Sequence, residues 1–183
     1  MIKKINTKIK LTIAYVTFNR SDLIKKRVNE LLKLDIPPEV EIIVIDDCSS
    51  DGTYESLKIL TKKSKIKVYK NKTNYGFSRN FFEAIKRSKG EFSIWTSDKD
   101  GISIKGLNNF LNWSKDKEID VAVLNYKRKM KPKEGHKTVI RKNSTKIIKY
   151  NELWKCSHGP GIVWRRESVI KILSQWKYFY DNY

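Results

Sequence analysis

Cysteine is nearly absent from this sequence, with only Cys48 and Cys156 among 183 residues. These two are far apart, form no CxxC pair and accompany no cluster of histidines, which excludes a disulfide framework and a structural zinc site. Only 8 glycines and 4 prolines are present, which excludes collagen-like and low-complexity chains. We therefore expect a folded domain from a reducing compartment, and the cytoplasm fits best.

Long apolar runs are also absent. No uninterrupted stretch approaches the ~20 residues that a membrane-spanning helix requires. Lysines before the apolar run at 11–18 imitate a signal peptide, but the run is short, Asn19 and Arg20 follow it, and no small-residue cleavage site appears. We expect a cytoplasmic protein, with peripheral attachment to the inner face of the membrane as a further expectation from its charge.

Acidic residues are scarce relative to basic ones: 39 Lys and Arg stand against 20 Asp and Glu, for a formal net charge of +19. Almost half of this excess lies in the segment 127–149, where ten basic residues accompany a single acid, Glu134. We predict that this segment is an exposed loop or hairpin that docks on an anionic membrane surface. A solvated hairpin whose charge only keeps the protein soluble is one alternative. Nucleic acid is the alternative partner, but no helix-turn-helix, RNP or zinc-finger pattern supports it.

Short β-branched or aromatic segments alternate with segments of helical periodicity along the chain. Alternation in short cycles predicts one α/β domain over 1–183, with a mainly parallel sheet and helices on both faces. Ser21 and Asp22 are expected to cap the first helix, and Gly90 to end the third. The predicted strands are 11–18, 40–45, 66–69, 92–96, 121–126 and 162–164, and the helical segments begin near 21, 53, 77, 107 and 168.

Polar residues follow three of the predicted strands, where ligands bind in parallel sheets. No GxGxxG motif follows the first strand and no GxxxxGK[ST] motif occurs, so neither a dinucleotide fingerprint nor a P-loop is present. The polar residues at these strand ends are Thr17, Asn19, Asp46, Asp47, Asp98 and Asp100. We expect a ligand site where these side chains cluster.

Four segments, 14–20, 43–53, 74–80 and 90–100, resemble the successive signatures of family 2 glycosyltransferases of the GT-A fold, in order and at similar spacing. The resemblance covers about 9–105, which it identifies with the nucleotide-sugar-binding half, and leaves 106–183 as an incomplete acceptor half. It implies transfer of a sugar from a nucleotide-diphosphate sugar, with UDP-sugars expected, to a hydroxyl of a glycan or lipid-linked acceptor, with inversion.

The resemblance also implies roles for individual residues. Asp47 resembles the carboxylate that accepts a hydrogen bond from the base, and Arg79 resembles an arginine near the base or phosphates. Each has a structural alternative. Asp46, Asp47 and Asp51 could cap the next helix, Arg79 could be a solvated helix-face residue, and Thr17 and Phe18 could simply pack. The resulting nucleotide-binding candidates are Thr17, Phe18, Asn19, Asp47, Arg79 and Asp98.

Asp98 and Asp100 resemble the acid motif that binds Mg²⁺ or Mn²⁺ bridging the diphosphate, a role suited to hard oxygen ligands. An ungapped alignment, however, puts Lys99 at the metal-binding position, and a shift of one residue is needed to make Asp100 a ligand. If that shift is wrong, Lys99 could neutralise the diphosphate itself, or the domain could be a degenerate binder.

The general base of the resembled family is an aspartate well beyond the segment that matches 158–165. Asp181 is the only late aspartate, and it stands too early for this role. We expect the base to be missing from this sequence or supplied in an unusual way, so the catalytic residue stays unassigned. A truncated or degenerate transferase that binds nucleotide without turnover is therefore the main alternative.

Overall fold

The computed structural model describes residues 8–115, 118–123 and 161–175, which form an α/β fold around one six-stranded sheet. The predicted elements occur in the predicted order, with small differences at their ends. In chain order they are β1 (Leu11–Thr17), α1 (Ser21–Leu31), β2 (Val40–Asp46), α2 (Thr53–Thr61), β3 (Lys67–Lys70), α3 (Gly76–Arg87), β4 (Phe92–Ser97), α4 (Ile104–Trp113), β5 (Val121–Val123), β6 (Ile162–Arg165) and α5 (Arg166–Gln175).

The sheet has the strand order β3-β2-β1-β4-β6-β5. The first four strands pair in parallel, whereas β6 is antiparallel to both β4 and β5. The expectation of a mainly parallel α/β sheet is confirmed, with an antiparallel edge added. Since β2, β1 and β4 are adjacent and parallel, their carboxyl ends lie side by side along one edge of the sheet.

The two faces of the sheet are covered unequally. On one face, a large apolar core joins β1 and β2 to α1, α2 and α4, with Ile24, Val28 and Leu31 of α1 each no more than 2% exposed. On the other face, α3 covers a smaller cluster around Ala14 and Ala84, and α5 packs beside α3. Burial on both faces explains why the strand sequences do not alternate.

Two predicted helix caps, at the start of α1 and at the end of α3, are wrong. Neither Ser21 nor Asp22 caps α1: the Ser21 N–H donates instead to Asp51, from the loop after β2, at 3.1 Å. Gly90 is not the helix cap either, because α3 ends at Arg87. A Cβ at position 90 would lie 2.6 Å from the backbone N of Thr12, so glycine is required for close passage along β1.

Several predicted features lie outside the described residues: the basic segment 127–149, strand residues 124–126, His158 and Asp181. Within 8–115, 118–123 and 161–175, none of the helices has the length and apolar character needed to cross a bilayer.

Candidate active site

The site is built on the carboxyl ends of β2, β1 and β4. Thr17 lies opposite Asp46 in the sheet, and the Asp47 N–H donates to the Thr17 carbonyl at 2.9 Å. Since β2 and β4 flank β1, their ends are two strand spacings apart, or about 10 Å. Polar loops therefore leave three neighbouring strands across a span that a nucleoside can bridge.

Asp47, the first residue after β2, is 2% exposed, and its carboxylate contacts the first residues of α3. Its Oδ1 accepts hydrogen bonds from the Asn71 amide and the Tyr75 N–H, both at 2.8 Å, while Oδ2 accepts one from the Gly76 N–H at 3.0 Å. A carboxylate has about four acceptor positions, and three are used here. Asp47 therefore holds α3 against β2 and keeps one acceptor position, on Oδ2, for a ligand.

The other two acids of this loop serve the fold. Asp46 is fully buried and accepts hydrogen bonds from the Ser49 N–H and hydroxyl; burial raises the pKa of Asp46 above its usual value, although the Ser49 hydrogen bonds oppose this. Asp51 accepts from the Thr53 N–H at 3.1 Å, and it also contacts Ser21. The helix-capping alternative thus holds for Asp51, which orders the starts of both α1 and α2.

Arg79 is exposed on α3 and stacks on an aromatic ring. Its guanidinium carbon lies 3.9 Å from the centroid of Tyr75, the residue whose N–H binds Asp47. Asn80, one residue on, is buried and accepts from the Asn71 amide at 2.5 Å. Tyr75 thus brings Asp47 and Arg79 together, because its N–H binds Asp47 and its ring lies beside the exposed Arg79 guanidinium.

The β1 end supplies Thr17, Phe18 and Asn19. The Thr17 hydroxyl is buried without a hydrogen-bond partner among the described residues, and Phe18 leaves 42% of its surface exposed, so its ring is not used for core packing. Asn19 adopts a left-handed backbone with φ of 49°, and its side-chain oxygen accepts from the Ser50 N–H at 2.9 Å. Asn19 therefore links the β1 and β2 loops.

Asp98, after β4, differs from the acids of the β2 loop. It is 4% exposed, and its Oδ1 accepts one hydrogen bond from the Arg20 guanidinium at 3.2 Å. Its Oδ2 is buried and has no hydrogen-bond partner in the described part of the chain. A buried acceptor without a donor is costly, which marks this oxygen as the atom most in need of a ligand.

Two side chains, those of Arg27 and Tyr15, hold the backbone of the β4 loop by donating hydrogen bonds to its carbonyls. Arg27 of α1 donates to the carbonyls of Asp98, at 3.2 Å, and Lys99, at 3.1 Å. The Tyr15 hydroxyl donates to the Asp100 carbonyl at 3.2 Å, and burial raises the pKa of Tyr15 above its usual value, so it stays a neutral donor. These hydrogen bonds hold the backbone of the loop without using the Asp98 carboxylate.

Asp100 is half-buried and accepts from the Ser97 hydroxyl at 2.7 Å, whereas Lys99 is exposed. Across residues 8–115, 118–123 and 161–175, no three His, Cys, Asp or Glu side chains gather around one point. A hard divalent cation held by one or two carboxylates and by substrate phosphates needs no such group. The unpartnered oxygen of Asp98 fits this donor chemistry, with Asp100 as the second carboxylate.

Sequence reasoning missed Arg20, Arg27 and Tyr15. Arg20 adjoins the strand-end motif, so its proximity to an acid could have been anticipated. Arg27 gave no signal, because a polar residue among the lysines of α1 is usually solvated. The sequence does not separate Tyr15 from the apolar residues around it in β1, because its contact with the Asp100 carbonyl is visible only in the folded structure.

Residues 12–173 match the family model described as glycosyl transferase family 2, so the chain belongs to that family. The fold is that of GT-A glycosyltransferases, and the expected family membership is confirmed. The family is one of transferases, as the sequence predicted.

The poly(ribitol-phosphate) β-N-acetylglucosaminyltransferase TarS of Staphylococcus aureus is 30% identical over 65% of this chain and 21% of its own length. The crystal structure of TarS 1-349 in complex with UDP-GlcNAc superposes with a TM-score of 0.67 at 25% identity, covering 86% of this chain and 46% of that one. The chain thus spans about a fifth of the length of this curated relative.

A mannosyltransferase from Pyrobaculum calidifontis, solved in complex with GDP-Man and Mn²⁺, superposes with a TM-score of 0.63 over 91% of this chain and 47% of that one. At 14% identity this likeness concerns the fold alone.

Proposed function

We propose that this chain transfers a sugar from a nucleotide-diphosphate sugar, with UDP-sugars preferred, to a hydroxyl of a glycan or lipid-linked acceptor, with inversion. The observation that carries the proposal is Asp98, whose buried Oδ2 has no partner at the end of β4 in a family 2 chain. The complex of TarS with UDP-GlcNAc supports the choice of donor. The poly(ribitol-phosphate) named for that relative makes a phosphate-bearing polymer a reasonable acceptor to test.

The base of the donor is proposed to lie at the Asp47 side. The acceptor position left on Oδ2 suits one N–H of a uracil-like base, and the exposed Phe18 ring offers a stacking surface. Arg79, held over the Tyr75 ring, suits a contact to base or phosphate because a guanidinium is permanently charged and bidentate. Thr17 and Asn19 would line the pocket between the two loops.

The ribose and diphosphate are proposed to lie at the Asp98 side, about 10 Å away across β1. Asp98 and Asp100 would hold Mg²⁺ or Mn²⁺, which would supply Lewis-acid neutralisation of charge on the departing diphosphate. Arg27 and Tyr15 would fix the loop that presents both carboxylates. No general base is assigned, because Asp181, the only late aspartate, stands too early in the sequence for that role.

Calorimetry with UDP, GDP and CDP, with Mn²⁺ or chelator, tests the donor and the cation. We expect UDP to bind best, Mn²⁺ to strengthen binding, and Asp100→Asn to reduce this gain, whereas Lys99→Ala should have little effect. Affinity that ignores Mn²⁺ but is lost in Lys99→Ala would support the metal-free alternative. Asp22→Asn is a matched control, since that carboxylate is 96% exposed on α1.

Turnover separates the transferase from the degenerate binder. The proposal expects release of UDP from a UDP-sugar when a suitable acceptor is present. Tight UDP binding with no release of UDP across lipid-linked and polymeric acceptors would favour nucleotide binding without turnover.

We also propose that the segment 127–149 docks the protein on an anionic membrane surface, because ten basic residues exceed what a diphosphate needs. Each basic residue near such a surface contributes roughly 1 kcal/mol, and salt screens this attraction. Binding to phosphatidylglycerol vesicles should fade at high salt and fall when residues 127, 128, 129 and 131 become Ser. Unchanged vesicle binding in that variant, or preference for duplex DNA with a sequence-dependent affinity, would contradict this assignment.

A further inference from the structure

A second basic surface lies on the described part of the chain, where α2 meets the edge strand β3. Residues 56–75 contain seven lysines and no acid, and all seven lysines are exposed. We call the part at the end of α2 and the start of β3 the α2–β3 surface. Its residues are Lys58, Ile59, Lys62, Lys63, Lys65 and Lys67.

This surface is remote from the candidate active site. The helix α2 begins at the carboxyl edge of the sheet and β3 runs parallel to β2 back toward that edge. The end of α2 and the start of β3 therefore lie at the opposite edge. There Lys58, Lys62 and Lys67 line an open groove of roughly 520 Å³, with Tyr69 and Val68 in its wall.

Most of this charge is not compensated. Lys67 donates to the Glu41 carboxylate at 2.6 Å, and this hydrogen bond raises the pKa of Lys67. In the described part of the chain, Lys58, Lys62 and Lys63 have no carboxylate within 4 Å. Lys58 lies 5.8 Å from the Tyr54 ring centroid instead. The positive field therefore remains available to an outside partner.

The centre of this surface is apolar. Ile59 is 77% exposed, more than any other large hydrophobic residue found exposed in the described part. Lys62 and Lys63 follow it by three and four residues, directly after the end of α2, and Lys62 keeps a helical backbone as the C-cap. Side chains at this spacing lie near one another in the last turn of a helix. A soluble polyanion offers nothing that would bury this side chain. An anionic bilayer offers both headgroup phosphates for the lysines and an apolar interface for Ile59.

We propose that the α2–β3 surface docks on an anionic lipid bilayer, with Ile59 entering the interface and the surrounding lysines meeting headgroups. This inference extends the membrane association proposed for the segment 127–149 to a surface within the fold. It does not require transferase activity, since vesicle binding is measured without donor. Failure here would leave UDP binding untouched, and failure of UDP binding would leave vesicle binding untouched.

Co-sedimentation of the full chain with vesicles tests this assignment. With phosphatidylglycerol in phosphatidylcholine, the triple variant Lys58→Ser, Lys62→Ser, Lys63→Ser should bind at least about tenfold more weakly than wild type. The control variant removes three exposed lysines elsewhere: Lys26→Ser, Lys33→Ser, Lys105→Ser. It loses the same charge and should bind at most about twofold more weakly. Because all six lysines are exposed, both variants should keep the wild-type melting temperature.

Ile59→Ser separates a bilayer from a soluble polyanion. It should weaken vesicle binding about fivefold, because a partly inserted isoleucine is lost, and leave binding of inorganic polyphosphate unchanged. Equal losses in the lysine variant and its control would overturn the proposal. Wild-type vesicle binding by Ile59→Ser would also overturn it, and would assign the surface to a phosphate polymer.

Discussion

The loops after β2 and β4 both carry aspartates at the same edge of one sheet, yet Asp98 of the β4 loop is used differently from the aspartates of the β2 loop. Asp100 of the β4 loop resembles the latter, since it accepts from the Ser97 hydroxyl. In the β2 loop, Asp46, Asp47 and Asp51 accept hydrogen bonds from the chain's own N–H, amide and hydroxyl groups. In the β4 loop, outside side chains hold the backbone carbonyls, and the Asp98 carboxylate keeps a buried oxygen without a partner.

This difference teaches how a site can be both rigid and receptive. Carboxylates that bind backbone N–H groups fix helix starts, but they leave few acceptor positions for a ligand. In a loop fixed through its carbonyls by Arg27 and Tyr15, one oxygen of the Asp98 carboxylate receives no hydrogen bond from the described residues. The comparison therefore predicts that mutations in the β2 loop act mainly on stability, and mutations in the β4 loop mainly on donor binding.

Asp47→Ala should have the largest effect. It removes the acceptor of the Asn71, Tyr75 and Gly76 donors in a buried place, so the free energy of unfolding should fall by about 3 kcal/mol. Urea unfolding measures this loss, and calorimetry on the folded fraction should show UDP affinity several-fold lower. Equal UDP binding by wild type and variant would leave Asp47 a structural role only.

Asp98→Asn should affect donor binding more than folding. The change keeps the shape of the side chain but removes the charge beside Arg20, and UDP affinity with Mn²⁺ should fall at least tenfold, about 1.4 kcal/mol. The free energy of unfolding should change by less than about 1 kcal/mol, because Arg20 is half-exposed and the pair is partly solvated. A loss of stability as large as that of Asp47→Ala would erase the distinction between the two loops.

Arg27→Leu should loosen the β4 loop. Two carbonyls lose a charged donor, and the Glu30 ion pair is lost with them, so we expect about 1.5 kcal/mol of destabilisation and a several-fold weaker UDP affinity. Lys26→Leu is the matched control, because it removes an exposed positive charge at the preceding residue. If Arg27→Leu retained wild-type UDP affinity, the loop would be held adequately by Tyr15 alone.

Sequence patterns predicted the order of strands and helices, because apolar periodicity reports which faces are buried. They also placed Asp47 and Asp98 at one edge of the sheet, since parallel strands bring their carboxyl ends together. They could not predict which aspartates hold the fold together and which one keeps an oxygen for a ligand. Asp51 accepts a hydrogen bond at the start of α1, and Asp47 accepts one at the start of α3. In each case the two residues are some 30 positions apart in sequence, and neither composition nor spacing predicts such a pairing.

Asp51 gives a smaller and pH-dependent effect. The hydrogen bond from Thr53 lowers the pKa of Asp51, burial opposes it, and the Ser21 N–H lowers the pKa further. A lowered folded-state pKa contributes stability above the usual value near 4, and this contribution is lost as pH falls through the folded-state value. Asp51→Asn should therefore cost at most about 1 kcal/mol at pH 7 and less at pH 3. Asp22→Asn, at a carboxylate that is 96% exposed, is the matched control.

Cys48→Gly should give the smallest effect, and one of opposite sign. Cys48 has a φ of 64°, in the left-handed region that disfavours side chains, and its thiol donates a weak hydrogen bond to the Lys72 carbonyl at 3.6 Å. Glycine removes the strain but makes the unfolded chain more flexible, so we expect a net gain of about 0.5 kcal/mol. Cys48→Ala keeps the strain and loses the contact, so it should be no more stable than wild type. A gain in Cys48→Ala equal to that in Cys48→Gly would show that the thiol, and not the backbone, limits the stability of the β2 loop.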